Sequence, residues 1–459
     1  MSLYDDQIKV AKDFEYWLTH TTGTFAGLWA AAGYGKSYTT KHLVNEVIRK
    51  NSNYTPVLTS MTHSAVDVLE KFTGEPVVTL HSLMGWVPDI NKETGKDTIS
   101  TPAMRKNKDW DKPRIRKGMI VIIDEAGMVT HKQTELLVNE CKEHGARILF
   151  IGDDKQTFPI LDEDEELCVP AYEITECYLK LTIPKRATVG NIIFKLCEKY
   201  RAAVDGGKQP KLKTILNPDG KTGVRHVEDI EEMAYLAFAA GVRDGKTDDI
   251  RVLAFTNERC LTLNRKIRKK VMGIKDGIPT NGEIMIANTS ITDLEDNVVI
   301  RNNQYLKVVE FEKTESSGLK GAFVLFSNML GETIMTRPND KTIAPEPFYV
   351  FVPESPGKLA SRLRKISNEA KGCAANGFKA EASALWLSFF NLRSKCADIR
   401  YTYATTVNKA QGMTLKHVLV DMTDINKASY FNKEMAARLA YTAVSRGNTY
   451  VTIEGELND

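Results

Sequence analysis

Apolar and polar positions along the chain change period several times, and each change predicts a new element. Between Tyr4 and Leu18, Ile8, Val10, Ala11, Phe14 and the Trp17, Leu18 pair recur at helical spacing, with Gln7 at the start and Asp5 or Asp6 placed as a cap. The stretch WAAAGYGKSYTT, Trp29 to Thr40, then predicts a buried strand, a glycine-rich turn and a helix. TPVLTSMTHSAVDVLEKF gives a strand through Val57 and Leu58, a polar turn holding Thr59, Ser60, Thr62 and His63, and a helix from Ala65. In VVTLHSLMGW, Thr79, His81 and Ser82 sit at another strand end. Two continuous apolar runs, GMIVIIDEAGMV and ARILFIGDDKQTFPI, predict parallel strands buried on both faces. One ends in Asp124 and Glu125, the other in Gly152, Asp153, Asp154 and Gln156.

A second α/β unit begins near Ile250 with the strand RVLAFTN and the basic helix LTLNRKIRKK. From about Gly282 to Val352 the period falls to two, which predicts a small module of short strands. Residues 356 to 395 are helix-rich and basic, with Trp386, Phe389 and Phe390 either in a core or on an exposed arm. The α/β rhythm returns in YATTVNKAQGMTLKHVLVDM and RLAYTAVSRGNTYVTI. Residues 86 to 117 interrupt the first unit; WVPDINKETGKDTIST predicts a hairpin turning near Thr94 and Gly95, followed by a basic stretch.

Length and charge narrow the class. At 459 residues the chain exceeds one core and implies several domains. With 42% hydrophobic and 26% charged residues, no run of 18 apolar residues and no apolar leader at the N-terminus, it is expected to be cytosolic, with neither membrane span nor signal peptide. Seven scattered cysteines without a C-x-x-C pair predict free thiols. The net charge of +3 is nearly neutral, but the basic residues cluster. Seven fall between Arg105 and Lys117, a second group starts at Arg265, and Lys358, Arg362, Arg364 and Lys365 form a third, against an acidic run from Asp162 to Glu166. Three separated basic patches point to a polyanionic partner.

The strand ends carry the chemistry. In AAAGYGKS, Gly33 and Gly35 let backbone N–H groups approach a triphosphate, Lys36 supplies a cation to its oxygens, and the Ser37 hydroxyl can take Mg²⁺; Tyr38 follows as a further nucleotide contact. Ala30 stands where the motif usually has its first glycine. Two acids closing an apolar strand are costly unless they face a site, so Asp124 is expected to hold Mg²⁺ and Glu125 to orient and deprotonate water. Gln156 is placed to sense a γ-phosphate, and the Gln7 amide could read an adenine edge. Hydroxyls and imidazoles at the other strand ends suit either phosphate contact or turn capping.

Taken together, DDQ, AAAGYGKS, TSMTHSA, TLHSL, IIDEAG, GDDKQTFPI, LTIPKR, VNKAQGMT and YTAVSRG follow the order and approximate spacing of the superfamily 1 helicase motifs. Within that superfamily the chain most resembles the RecD-like group and its Dda-type helicases of tailed phages, from Gln7 to Gly447. The resemblance implies that Gln7 reads adenine, that Gln156 couples the γ-phosphate to DNA, and that Gly412 lies beside that phosphate. It implies arginine fingers at Arg186 and Arg446, and a single-strand track along Thr62, His63, His81, Ser82, Thr406, Asn408 and Lys409. Met61 replaces a proline common before the Thr-His pair, and Asn408 a common histidine.

The expected architecture is therefore α/β: two RecA-like P-loop domains, with a β-hairpin insertion in the first and a β-barrel-like plus helical insertion in the second. The first domain would comprise 1–85 and 118–183, with 86–117 as a wedge. The second would comprise 184–281 and 400–459, with 282–399 inserted. The expected protein is a monomeric ATP- and Mg²⁺-dependent DNA helicase working on single-stranded and fork DNA, 5′→3′ by resemblance. A single-strand binding protein would be its partner in replication or recombination, in the host cytoplasm if phage-encoded. The alternative is a P-loop ATPase that remodels protein–nucleic acid complexes without unwinding.

Overall fold

The computed structural model describes residues 3–51, 53–90, 97–104, 112–159, 168–185, 191–218, 222–293, 295, 297–340 and 342–458. The chain forms two compact units, one of Met1–Pro88, Ile99–Cys260 and Thr405–Asp459, the other of Asp89–Thr98 and Leu261–Ala404. The first unit carries most of both α/β lobes, and the second carries residues 89–98 of the hairpin, residues 261–281 and the larger insertion.

The first lobe runs α1 (Asp5–His20), β1 (Phe25–Trp29), α2 (Lys36–His42), β2 (Thr55–Ser60), α3 (His63–Thr73), β3 (Val77–Thr79) and α4 (Leu80–Leu83). After the hairpin strands β4 (Val87–Ile90) and β5 (Asp97–Ser100) come β6 (Met119–Asp124), α5 (His131–His144), β7 (Arg147–Gly152), α6 (Pro170–Glu173) and β8 (Cys177–Lys180). Its sheet has the order β3-β2-β6-β7-β1-β8, with every described pairing parallel. Parallel strands covered on both faces need apolar residues at every position. In β6, Ile120 and Ile122 enter a core with Phe14, Leu18 and Leu28, while Val121 and Ile123 enter another with Phe25, Trp29 and Leu137.

Helix α1 departs from its predicted face. Val10, Ala11, Phe14, Trp17 and Leu18 are buried as expected, but Ile8 is exposed and Gln7 takes the inward position. Neither aspartate caps it: Tyr4 is the cap residue and the Gln7 side chain accepts its N–H at 3.1 Å. The hairpin turn at 91–96, the basic run at 105–111 and the acidic run from Asp162 to Glu166 lie outside the described residues. On the hairpin's return strand, Ile99 packs on the first lobe's core.

The second lobe begins with α7 (Ile192–Val204), β9 (Ile215–Leu216), β10 (Gly223–Val227), α8 (Ile230–Asp244), β11 (Ile250–Ala254) and α9 (Asn257–Met272). The second unit follows: β12 (Ile284–Ala287), β13 (Ile291–Thr292), β14 (Val298–Ile300), β15 (Tyr305–Ser316), β16 (Leu319–Ser327), β17 (Tyr349–Pro353), α10 (Pro356–Ala375), α11 (Lys379–Lys395) and β18 (Ile399–Tyr401). Five of its strands form an antiparallel sheet in the order β17-β16-β15-β12-β18. Trp386 and Phe389 cluster with Ala370 between α10 and α11, so these aromatics are core. The basic run of α9 is partly structural as well: Arg268 is buried, paired with Glu283 at 2.7 Å and stacked on Tyr401. The chain returns through β19 (Ala404–Thr406), β20 (Leu415–Asp421), α12 (Met422–Ile425), α13 (Lys433–Ser445) and β21 (Gly447–Glu454), closing the sheet β19-β11-β20-β21-β10-β9.

One residue of that sheet reports on pH. His417 on β20 lies 3.0 Å from Thr452 Oγ1 and edge-on to Tyr450, where burial, aided by the Arg225 cation, pushes its pKa down to about 4. Between the ordinary value of 6.5 and about 4 the unfolded chain binds a proton that the folded chain refuses, so stability falls as pH falls through that window. Each unit there is worth at most ~1.4 kcal/mol. His417→Gln should flatten the fall in urea midpoint between pH 7 and 4; an unchanged slope would clear His417 of the effect.

Candidate nucleotide site

Strand register brings the predicted residues to one edge. Trp29 pairs with Gly152, and Ser60 with Asp124, so the P-loop, the Asp124, Glu125 turn and the Asp153 turn all leave the carboxyl edge of the first sheet together. In the second lobe, Leu415 pairs with Gly447 and its N–H bonds to Arg446 O at 2.9 Å. Gly412 and Arg446 therefore leave the amino edge of their sheet side by side. Gly33, Gly35, Lys36, Ser37, Tyr38, Asp124, Glu125, Gln156, Gly412 and Arg446 line one cavity of about 280 Å³.

The P-loop glycines hold left-handed backbone, Gly33 at φ 86° and Gly35 at φ 88°, and a Cβ on Gly35 would fall 2.9 Å from Lys185 Cγ. Lys36 Nζ donates to Ala30 O at 2.7 Å and Ala31 O at 3.3 Å, the loop's own carbonyls standing in for an anion. Opposite lies Glu125 at φ 54°, a left-handed conformation that a glutamate adopts at a cost of about 1–3 kcal/mol. Gly412, itself at φ 80°, faces it: a Cβ there would lie 3.9 Å from Glu125 Oε1. Asp124 is pushed up to about 7, first by burial and then by the Glu125 carboxylate, with Lys36 opposing.

A buried polar bridge crosses between the lobes beside this cavity. Asp153 pairs with Arg201 of α7 and accepts a bond from the Tyr441 hydroxyl of α13 at 2.6 Å. Burial opposes its charge, but Lys36 and Arg201 hold it below the usual carboxylate range. Arg201 also bonds Asp154 at 2.9 Å. The Gln156 amide reaches Asp153 Oδ2 at 3.3 Å and accepts from Gln411 at 3.4 Å, while Gln411 accepts from Thr157 Oγ1 at 2.9 Å. Arg446, only 5% exposed, bonds Thr442 O and Ser445 Oγ, and none of its bonds among the described residues is to a carboxylate.

Other predicted residues sit elsewhere. Gln7 is buried under the P-loop helix, donating to Thr39 Oγ1 at 3.0 Å, and is not among the residues lining the cavity. Arg186 lies outside the described residues. Its neighbour Lys185 does line the cavity, donates its N–H to Gly33 O at 2.9 Å and pairs with Asp6 at 2.7 Å. Asp6 also accepts the N–H groups of Thr182 and Ile183 at 2.9 and 2.8 Å, so it straps this segment across the P-loop.

Along the predicted strand track, Thr62 caps α3 by accepting from Ala65 N, and Thr79 caps α4 by accepting from Ser82 N. His63 opens α3 and Ser82 is exposed on α4. His81 meets Trp86 edge-on and burial lowers its pKa. Thr406 ends β19, and Asn408 and Lys409 form the short turn after it. Two oxygens here, Thr405 Oγ1 and Asn408 Oδ1, are buried without a hydrogen-bond partner among the described residues.

Comparison with known proteins fits this geometry. An AAA domain profile matches residues 3–162, and a UvrD-like helicase C-terminal domain profile matches 401–453. The ATP-dependent DNA helicase dda of Enterobacteria phage T4 is 25% identical over 432 residues, 91% of each chain. By these matches the chain is similar to the superfamily 1 helicases. An uncharacterized protein of Acanthamoeba polyphaga mimivirus is 28% identical to this helicase over 148 residues, 28% of each chain. In fold, the helicase is similar to a solved structure of two coordinating Pif1 helicases at forked double-stranded DNA, at 14% identity and a TM-score of 0.53, covering 100% of this chain and 93% of the other.

Residue patterns alone did not mark Asp6, Lys185, Arg201 or Tyr441. The signal for Asp6 is its place beside Gln7, where the pattern predicts a helix cap. Asp6→Ala in this helicase should lower the unfolding free energy by roughly 1–3 kcal/mol, since it leaves two N–H groups and an ammonium without their acceptor. It should also weaken ATP binding by freeing the Lys185 strap. Chemical denaturation and nucleotide titration check both, and unchanged values would mean that the strap does not depend on Asp6.

Proposed function

We propose that this helicase hydrolyses ATP in the cavity between its two lobes and uses the cycle to move along single-stranded DNA, 5′→3′, opening duplex ahead of it. The observation that carries the reading is the division of one cavity: Lys36, Asp124 and Glu125 come from one lobe, and a buried Arg446 with only neutral acceptors comes from the other. A transferring phosphoryl group would meet all of these charges only with both lobes around it. Hydrolysis would then change how the lobes are held together, and DNA bound across both would be advanced.

The residues fit a divalent cation. Asp124 stands half-buried beside a second carboxylate, its pKa pushed up despite the Lys36 cation, and the Ser37 hydroxyl lines the same cavity. When bound, Mg²⁺ would neutralise phosphate charge and polarise the transferring group. Lys36 would exchange the Ala30 and Ala31 carbonyls for phosphate oxygens, and Glu125 would orient a water and take its proton. Gln156 would link the phosphate end of the cavity to Gln411. Gln7, with one N–H and one lone pair unspent, would read the adenine edge. On the strand track, polar contact with DNA would run along Thr406, Asn408 and Lys409, continued by Thr62, His63, His81 and Ser82.

Duplexes carrying either a 5′ or a 3′ single-stranded tail test the activity. ATP-dependent displacement from the 5′-tailed substrate is expected; turnover of ATP without displacement on either would favour a remodelling ATPase. Glu125→Gln should bind ATP but hydrolyse it slowly in single-turnover assays, because the amide cannot accept a proton. Arg446→Ala should reduce kcat on the order of 10³-fold, far more than it weakens ATP binding, as a group acting on transition-state charge would. An unchanged kcat with a raised KM would reduce Arg446 to ground-state binding.

A further inference from the structure

The Tyr441 ring packs in the second lobe's core, but its hydroxyl makes polar contacts that packing does not explain. It is 1% exposed, and its hydroxyl accepts from the P-loop amide of Ala32 at 3.2 Å, donates to Asp153 Oδ2 at 2.6 Å and lies 3.4 Å from Arg201 Nη1. A phenol has one proton and two lone pairs, and all three are used here. Each bond goes to a different part of the fold: the phosphate loop, the strand end that bears Gln156, and α7 of the second lobe.

We propose that Tyr441 is a positioning residue for ATP hydrolysis, tying the Ala32 amide to the Asp153 carboxylate so that the phosphate loop and the second lobe are set together. The inference rests on the ATPase reading above. Ala32 belongs to the turn whose amides meet the nucleotide phosphates. Tyr441 and Ser445 stand four residues apart on one face of α13, and Arg446 follows at the helix end, bonded to Ser445. Seating the hydroxyl on Asp153 thus fixes the rotation and height of the helix that presents Arg446. A nucleotide in its ground state needs mainly the P-loop, whereas the transition state also needs Arg446. Loss of the hydroxyl should therefore act on turnover rather than on nucleotide binding.

Tyr441→Phe, Asp153→Asn and the double variant of the full chain make the test, with Lys36→Ala as reference. ATP affinity is measured with a fluorescent analogue, and kcat at saturating ATP and single-stranded DNA. Tyr441→Phe should lower kcat about tenfold, the worth of one or two buried hydrogen bonds, with affinity within about twofold, since the P-loop itself is intact. The double variant should be no slower than the slower single variant, because both remove one bridge. Wild-type kcat in Tyr441→Phe, a matching loss of affinity, or additive effects in the double variant would each overturn the proposal. If Tyr441→Phe melts far below wild type, Asp153→Asn decides: it must show the same turnover-selective loss. Equal ATP turnover by wild type and Lys36→Ala would instead sink the ATPase reading itself.

Discussion

The first lobe gathers carboxylates where its sheet can least support them. Asp124, Glu125 and Asp153 leave the same edge of two adjacent central strands, in a region walled by close-packed apolar residues. Charge in such a place is tolerated only if it is paired or neutralised. Asp153 solves this with Arg201 and Tyr441, both from the other lobe. For Asp124 the Lys36 cation works in the same direction, yet burial and the Glu125 carboxylate still push its pKa up. The fold thus keeps one carboxylate satisfied by ion pair and hydroxyl and leaves another with its carboxyl pushed up beside a second acid. That asymmetry separates two acids whose positions look alike in sequence.

The P-loop, the Asp124, Glu125 strand end and the small glycine turns were legible because each is local. Their geometry follows from residues within a few positions: glycines at positive φ, a strand of Ile and Val that ends in acid, a helix that starts at Lys36. The parallel sheet was legible for the same reason. What periodicity could not give was pairing at long range. Arg201 sits on a helix whose sequence, IIFKLCEKYRAAV, reads as an ordinary amphipathic stretch, and nothing near it announces Asp153, 48 residues away. Asp6 was legible as a residue but not as a strap, since its acceptor role depends on Thr182, Ile183 and Lys185 returning to it.

Some side chains with plausible ligand chemistry are partly spent on the fold. Thr62 and Thr79 cap helices, Gln7 fills an inward helix position, and Arg268 lies in an ion pair inside the second unit. A hydroxyl that caps a helix keeps a lone pair and can still donate its proton, so capping and contact are compatible. A buried arginine bonded to a carboxylate and two carbonyls has no such reserve. Spacing along the chain cannot tell these cases apart, because both come from the same residue type at the same kind of turn.

Helix α13 shows how the two lobes act as one unit. Arg438 donates to the carbonyls of Asp154 and Gln156 and lies over Phe158; Tyr441 meets Ala32 and Asp153; Thr442 accepts the Thr157 N–H; Arg446 closes the row at the cavity. Tyr441, Thr442 and Arg446 stand three, four and eight residues beyond Arg438, so the four form one stripe of the helix directed at the first lobe. The opposite stripe, with Leu439, Ala440 and Ala443, is packed into the second lobe's own core. A helix gripped this way on both sides cannot shift one contact without the others, since packed interiors yield poorly to small displacements. Rearrangement at the phosphate end, where Arg446 lies, would therefore be felt at Asp153 and at the Gln156 turn through a rigid element. In the proposed cycle, coupling between chemistry and motion would run through this one helix and the polar stripe along it.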